Sequence, residues 1–332
     1  PKDLCGGFMS GKLRIGALGN SKILRRFIQV PETSAFGQID AIATRSKESA
    51  AVAKENYPDR EILIGYEAAL VHQDLDAIYI CLPAGLHFEW AKKALEAGKH
   101  ILIEKPAVLL ANEARILNEI ATANNVLMME AWWYRFHPLV QSLRQLIHSG
   151  GLGDIKHISS SFSYINSDPM DSRWNPDLGG GALYDMFSYH VDFLNYVMGI
   201  RNQDIDLIQA FARMKHGVDA SIAAELITQN GVVCNFMAGL DRPSLCKTFI
   251  LGEKGSLEIP HLRIMPEFKE ASYTHFSNLG MQTMEFSPSN AYGLMLDAFA
   301  LACLEGRASP VKAQDTIVNT ELLERIKAAR DE

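Results

Sequence analysis

The run Ala77-Ile78-Tyr79-Ile80-Cys81-Leu82 constrains the fold more than any other stretch of the 332-residue chain. It is apolar at successive positions, so a strand built from it must be buried on both faces. Parallel strands covered by helices meet that condition. The runs at 13–18, 39–44, 62–64, 100–104 and 126–130 are of the same short, strand-like kind, with helical stretches between them. The clearest helix spans 87–97, with Trp90, Ala91, Ala94 and Leu95 on one face and Gly98 as its stop. Strand–helix alternation of this kind predicts a doubly wound α/β domain.

The pattern changes near Ala131. A helix around 139–147 ends at Ser149-Gly150-Gly151, and strand-like segments then follow at 155–165, 207–214, 221–228, 232–237 and 248–251. Turn signals such as Gln229-Asn230-Gly231 separate them. Strands in succession predict a mostly antiparallel sheet, and helices at 289–304 and 313–329 close the chain. The expected organisation is a tail at 1–11, a nucleotide-binding α/β domain at 12–130 and an α+β substrate and oligomerisation domain at 131–332, with a crevice between the two domains.

Charge and cysteine usage narrow the function. The net charge is −7 and the basic residues are scattered, which excludes a nucleic-acid or anionic-membrane surface. No apolar run is long enough to span a bilayer. The five cysteines (Cys5, Cys81, Cys234, Cys246, Cys303) are odd in number and form no C-x-x-C pair, so free thiols in a reducing compartment are expected. The first residues lack the pattern of a signal peptide, and a cytoplasmic location is the expectation. His137, His148 and His190 lack ligand spacing, so no metal site is expected.

The first strand is followed by Gly19-Asn20-Ser21-Lys22-Ile23-Leu24. Gly16 and Gly19 suit a turn that points backbone amides at a pyrophosphate, although Ser21 and Leu24 replace the second and third glycines of G-x-G-x-x-G. A small-residue turn in any α/β protein reads the same way. The second strand ends in Thr44-Arg45-Ser46-Lys47, without the acidic residue that holds a ribose 2′-hydroxyl. A carboxylate there would repel a 2′-phosphate, whereas Arg45 can pair with it and the hydroxyls of Thr44 and Ser46 can donate to it. This favours NADP(H) over NAD(H); a solvated basic loop is the other reading.

Further segments carry a family likeness: Leu82-Pro83-Ala84-Gly85-Leu86-His87, Glu104-Lys105-Pro106, the stretch from Glu130 to Pro138, Gly179-Gly180-Gly181-Ala182-Leu183-Tyr184-Asp185, and the turn from Leu251 to Leu257. From Lys12 onward the chain resembles the glucose-fructose oxidoreductase / inositol dehydrogenase (Gfo/Idh/MocA) family. It is most similar to the branch holding dihydrodiol dehydrogenases and keto-sugar reductases, because Tyr189 stands where relatives of inositol dehydrogenase usually have histidine. Ala84 replaces a frequent Asn. Phe187 replaces a frequent Gly, which is expected to reshape the pocket. The resemblance implies an N-terminal Rossmann domain, a C-terminal open-faced sheet, and a homodimer or homotetramer formed through that sheet. It also implies a small-molecule sugar, cyclic polyol or dihydrodiol as substrate.

Reduction of a ketone needs a hydride at carbon and a proton at oxygen. A tyrosine can donate that proton, and a nearby ammonium lowers its pKa of about 10. Tyr189 is therefore the expected acid/base, Lys105 its tuning and substrate-polarising partner, and Asp185, one helical turn before Tyr189, an orienting carboxylate. A solvated lysine, a core tyrosine and a helix-terminal aspartate are the respective alternatives. Leu82, Pro83, His87, Glu104, Trp133 and Arg135 are assigned to the cofactor pocket, with backbone capping open for His87 and interface packing for Trp133. Arg173 and Trp174, with Trp133, are assigned to the substrate mouth, a loop anchor being the alternative. The expected activity is NADP(H)-dependent interconversion of hydroxyl and keto groups; a non-catalytic NADP-binding regulator is the alternative.

Overall fold

Each strand expected in the first third forms, and all run parallel. In the computed structural model, which describes residues 11–28, 34–262 and 270–332, a six-stranded sheet comprises β1 (Leu13–Leu18), β2 (Gly37–Thr44), β3 (Glu61–Ile64), β4 (Ala77–Ile80), β5 (His100–Ile103) and β6 (Met128–Glu130). The reading of residues 1–10 as a tail, and Cys5, fall outside the described residues. The strand order is β3-β2-β1-β4-β5-β6. Every residue of β4 is buried, as its unbroken apolar run demands. Helices α1 (Arg25–Ile28), α2 (Lys47–Asn56), α3 (Tyr66–Leu70), α4 (His87–Glu96) and α5 (Ala111–Ala123) connect the strands. α4 buries Trp90, Ala91, Ala94 and Leu95 against the sheet. Because the strand order reverses between β1 and β4, a crevice opens at their carboxyl ends, where such sheets bind ligands.

After β6, a short turn (Trp133–Phe136) leads into α6 (Pro138–His148) and β7 (Ile155–Ile165). A helical stretch follows in which α7 (Ser188–Phe193) is flanked by π-type turns at Leu183–Phe187 and Leu194–Met198. The second sheet adds β8 (Ile205–Lys215), β9 (Val218–Thr228), β10 (Val233–Gly239), β11 (Asp241–Gly252), β12 (Gly255–Pro260), β13 (Ala271–Ser277) and β14 (Gly280–Phe286), before α8 (Ala291–Glu305) and α9 (Ala313–Asp331) end the chain. Its order is β14-β13-β12-β11-β7-β10-β9-β8, and β7–β10 is its parallel pair. β12, β13 and β14 were not expected from sequence. The last two form an edge hairpin with polar residues on both faces, which erases the alternation that marks a half-buried strand.

One apolar core joins the two sheets, running from Ile15 and Tyr79 through Trp132, Tyr134 and Leu139 to Ile158, Cys234 and Ile250. A second cluster covers the other face of the parallel sheet. Phe187 belongs to the joint core, packed edge-on against His190 and Phe236, and it does not line the crevice, so the expected effect on the pocket is not realised. The four described cysteines carry no disulfide. Among the described residues, no helix is long and apolar enough to cross a membrane.

Candidate active site

A crevice of about 580 Å³ lies between the ends of β1, β4 and β5 on one side and β7 with the 171–189 segment on the other. Lys105 enters it from the loop after β5. Its ammonium donates to the Asp185 backbone carbonyl at 2.5 Å and to Asp185 Oδ1 at 3.2 Å, and lies 5.0 Å from the centre of the Tyr189 ring. Asp185 and Tyr189 both line the crevice, so the π-type winding keeps them on one face, as the four-residue spacing predicts. Tyr189 is 7% exposed, and its oxygen accepts a hydrogen bond from Trp133 Nε1 at 2.9 Å.

Asp185 is the electrostatic centre of the crevice. Its Oδ2 accepts from Arg173 Nε at 2.9 Å and from the Tyr164 hydroxyl at 3.0 Å. Burial alone would raise its pKa. The charges of Lys105 and Arg173 overcome that and hold the carboxyl well below the usual carboxylate range. Burial and the neighbouring carboxylate push the Tyr164 phenol well above its ordinary value. Glu104, beside Lys105, is also raised by burial and accepts from the Tyr79 hydroxyl at 2.7 Å.

The opening turn supplies Asn20, Ser21, Lys22 and Ile23 to the crevice. Gly19 takes φ +101°, and a Cβ there would stand 3.0 Å from Leu82 Cδ2, so a bare backbone is required. Ser21 Oγ is buried beside Cys81 without a hydrogen-bond partner of ordinary geometry. A buried donor left open at a tight turn fits the oxygens of a phosphate. Gly16 does something else. It lies inside β1, where a Cβ would come within 2.6 Å of Leu75 Cδ1, so its role is packing rather than the pyrophosphate contact expected of it.

At the end of β2, the Thr44 hydroxyl donates to the Ser46 carbonyl at 3.2 Å, and Ser46 Oγ caps α2 by accepting from Ser49 N at 3.3 Å. Ser46 Oγ in turn donates to Ser49 Oγ at 3.4 Å, so both expected donors are engaged locally, while Arg45 is exposed.

Leu82, Pro83 and His87 line the crevice. The ring nitrogens of His87 lie 2.7 Å from the Leu82 carbonyl and 2.9 Å from that of Pro106, tying the ends of β4 and β5 together. Burial lowers its pKa below the ordinary value. His87 thus both borders the crevice and faces two backbone carbonyls.

Two further assignments need correction. Arg135 does not reach the crevice. It is 2% exposed, and its guanidinium donates to Asp192 through Nε at 3.0 Å and through a second nitrogen, and to Asp315 at 2.8 Å. An apolar core accepts a guanidinium only when carboxylates neutralise it, and Asp192, itself fully buried, is that partner. Trp174 is also turned away, edge-on to His216 and beneath the Lys215 ammonium, where it anchors its loop. Arg173, by contrast, lines the crevice, held by Asp171 at 3.1 Å and by Asp185.

Sequence reasoning missed Phe162, Tyr164, Asp171 and Tyr292, all of which line the crevice. Phe162 and Tyr164 share a face of β7 with the buried Ile158, and that parity was the available signal. Glu130 opens the stretch from Glu130 to Pro138, with no role of its own legible in the sequence. It is buried, and it accepts from Ala107 N at 2.9 Å and from the Thr316 hydroxyl at 2.8 Å. It thereby ties the Lys105 loop to α9.

Two family models span most of the chain. The oxidoreductase family with NAD-binding Rossmann fold matches residues 13–131, and the GFO/IDH/MocA C-terminal domain matches residues 140–258. The chain belongs to the GFO/IDH/MocA family of oxidoreductases. Among relatives of this family member is dTDP-3,4-didehydro-2,6-dideoxy-α-D-glucose 3-reductase of Streptomyces violaceoruber, 32% identical over 74% of this chain and 72% of that one. Another is D-xylose 1-dehydrogenase (NADP(+)) 2 of Haloferax volcanii, 28% identical over 92% and 93%. A solved structure of a 3-ketoreductase from Actinomadura kijaniata, in complex with NADP and TDP-benzene, superposes with a TM-score of 0.89 at 26% identity, covering 96% of this chain and 98% of that one.

Proposed function

We propose that this family member is an NADP(H)-dependent dehydrogenase/reductase that interconverts a hydroxyl and a keto group on a sugar or cyclic polyol. The observation that carries the reading is the convergence of Lys105, Asp185 and Tyr189 on one crevice, with the Lys105 ammonium 5.0 Å from the Tyr189 ring. The relatives' names support a sugar substrate, and their NADP supports the choice of cofactor.

Asn20, Ser21 and Ile23 would hold the pyrophosphate side of the cofactor, and Arg45 the 2′-phosphate. When bound, NADP(H) supplies or takes up the hydride. Tyr189 gives its phenolic proton to the carbonyl oxygen in reduction and takes it back in oxidation. Lys105 stabilises the phenolate by opposite charge and polarises the substrate oxygen. Asp185 stays ionised, holds the ammonium in place and accepts from a substrate hydroxyl. Trp133 and Arg173 border the substrate. Residues 12–130 serve as the cofactor domain and 131–332 as the substrate domain.

The outer face of the eight-stranded sheet exposes Leu207 and Phe211 on β8 beside Ala223 of β9. This apolar strip supports pairing into a homodimer or homotetramer, which light scattering would count.

The deciding experiment is a screen with NADP(H) and NAD(H) against sugars, keto-sugars and arene diols, followed by Tyr189→Phe. The variant should lose turnover by about 10²–10⁴-fold while keeping NADPH affinity. Unaltered turnover would remove Tyr189 from the mechanism. Tight NADPH binding with no turnover across the panel would favour a regulator instead.

A further inference from the structure

We propose that Trp133 is a positioning residue for proton transfer, its indole N–H fixing the direction of the Tyr189 hydroxyl hydrogen and lowering the cost of its loss. The inference rests on the reading of Tyr189 as acid/base given above. An indole nitrogen can only donate, so at 2.9 Å the phenol oxygen must be the acceptor. The lone pair facing Trp133 is therefore occupied, and the hydroxyl hydrogen is directed off that side. A donor gains strength when its acceptor becomes charged, so the same contact favours the phenolate over the phenol.

The geometry is held from several directions. The Trp133 ring is buried and stacks on Tyr292 at 4.9 Å and 15°. The Tyr189 ring packs edge-to-face with Trp132 and Phe162 at 5.3 and 5.8 Å. The segments that carry the two rings are joined a second time. Arg135, two residues after Trp133, and Tyr134 both donate to Asp192, which lies three residues after Tyr189 on α7. One short turn and one helical turn are therefore joined twice, which favours keeping the indole beside the phenol. Lys105 acts on the ring by charge, and Trp133 acts on the oxygen by direction.

The charged and titratable groups near this phenol include Lys105 from the loop after β5, Asp185 and Asp192 from its own helical stretch, Tyr134 from the Trp133 turn, Tyr164 from β7, Arg173 from the 172–174 turn and Tyr292 from α8. None of them loses a charge or a proton when the indole N–H alone is removed.

The test replaces Trp133 by 3-benzothienylalanine, which keeps the ring and puts sulfur where the N–H was, with Trp133→Phe as the second variant. Ionisation of Tyr189 is read without substrate, as the tyrosinate absorbance titration of each protein minus that of the same protein carrying Tyr189→Phe. The midpoint should rise by about 1–2 pH units in both variants, the worth of one hydrogen bond to a charged acceptor. A packing role alone would not move it. Titration needs no turnover, so active Tyr189→Phe enzyme would overturn the acid/base reading independently of this contact. An unchanged or lowered midpoint in the benzothienyl protein would overturn the inference, as would a Tyr189 that does not ionise before the protein unfolds.

Discussion

Glu130 gives the structure a pH signature that a single substitution isolates. Burial is the main cause that lifts its pKa from 4.5 to about 7, with Asp192 adding to the lift, while the Ala107 amide and the Thr316 hydroxyl pull the other way. A carboxyl whose folded pKa lies above its unfolded value stabilises the fold in its protonated form. That contribution is complete below pH 4.5 and lost as the pH rises through about 7. At about 1.4 kcal/mol per pKa unit, the full loss is about 3 kcal/mol. The residue is almost wholly buried, so solvent screening takes little from that figure. Glu130→Gln mimics the protonated acid at every pH. Its carboxamide oxygen still accepts the Ala107 N–H, and its amide can donate to Thr316 Oγ. The variant should therefore gain about 2–3 kcal/mol on wild type between about pH 5 and pH 8. Urea unfolding of both proteins at matched pH measures this. Any constant offset from altered hydrogen bonds drops out of the slope. A stability difference that stays flat with pH, or that moves against the variant as pH rises, would refute the assignment of a buried, raised carboxyl.

Arg45→Ala should erode the NADP preference at least about tenfold, because it removes the exposed cation at the end of β2; an unchanged NADP/NAD ratio of kcat/KM would place the 2′-phosphate elsewhere. Asp192→Asn leaves Arg135 buried with Asp315 alone, and should cost about 3–5 kcal/mol by urea denaturation; a loss under about 1 kcal/mol would show that Asp315 suffices. Asp185→Asn frees Lys105 and Arg173 from their carboxylate, and should lower kcat/KM about 10²-fold with NADPH affinity retained by calorimetry. Because Lys105 and Arg173 hold Asp185 ionised far down the pH scale, any acid limb of the wild-type profile above about pH 5 belongs to another group, and a limb that vanishes in Asp185→Asn would contradict this.

What could be read from the sequence follows how completely each segment's surroundings dictate it. β4 was legible because burial on both faces forces apolar residues at every position. The β13–β14 hairpin was not, since its outer strand β14, exposed on most of its length, tolerates Gln, Thr and Glu on either face. The site divides in the same way. Lys105 and Asp185 stand beside a strand end and a glycine turn, where backbone geometry restricts the residue type. Gly180, for example, faces the Arg173 and Asn175 carbonyls so closely that a Cβ would stand within 2.7 Å of each. Tyr164 and Tyr292 come from ordinary positions in a strand and a helix, and only the folded chain brings them to the crevice. Arg135 was misplaced because a charge among aromatic residues suits either a ligand site or a buried pair. Its partner Asp192 sits in an equally apolar stretch 57 residues away, and two stranded opposite charges were the available signal.

The same pair bears on how the site keeps its shape. Lys105 hangs from the parallel sheet and Tyr189 from a helix packed on the other sheet, so their separation depends on the contact between the two halves. Apolar burial supplies most of the adhesion there, but it is non-directional and fixes position only as finely as side chains interlock. Hydrogen bonds are directional. Two polar links cross this contact, Glu130 to Thr316 and Lys105 to Asp185, and three brace its sides: Glu130 to Ala107 on the first, Arg135 to Asp192 and Trp133 to Tyr189 on the second. Each takes polar atoms out of water, which in stability alone a well-packed apolar pair would match or better. Their return is alignment, to which proton transfer is sensitive on the scale of an ångström. Glu130→Gln should accordingly make the protein more stable at about pH 8 while lowering kcat, because a neutral amide holds the Ala107 amide, and with it the Lys105 loop, more weakly than a carboxylate does. Stability and kcat rising together in that variant, measured in one buffer, would show that Glu130 plays no part in aligning the lysine.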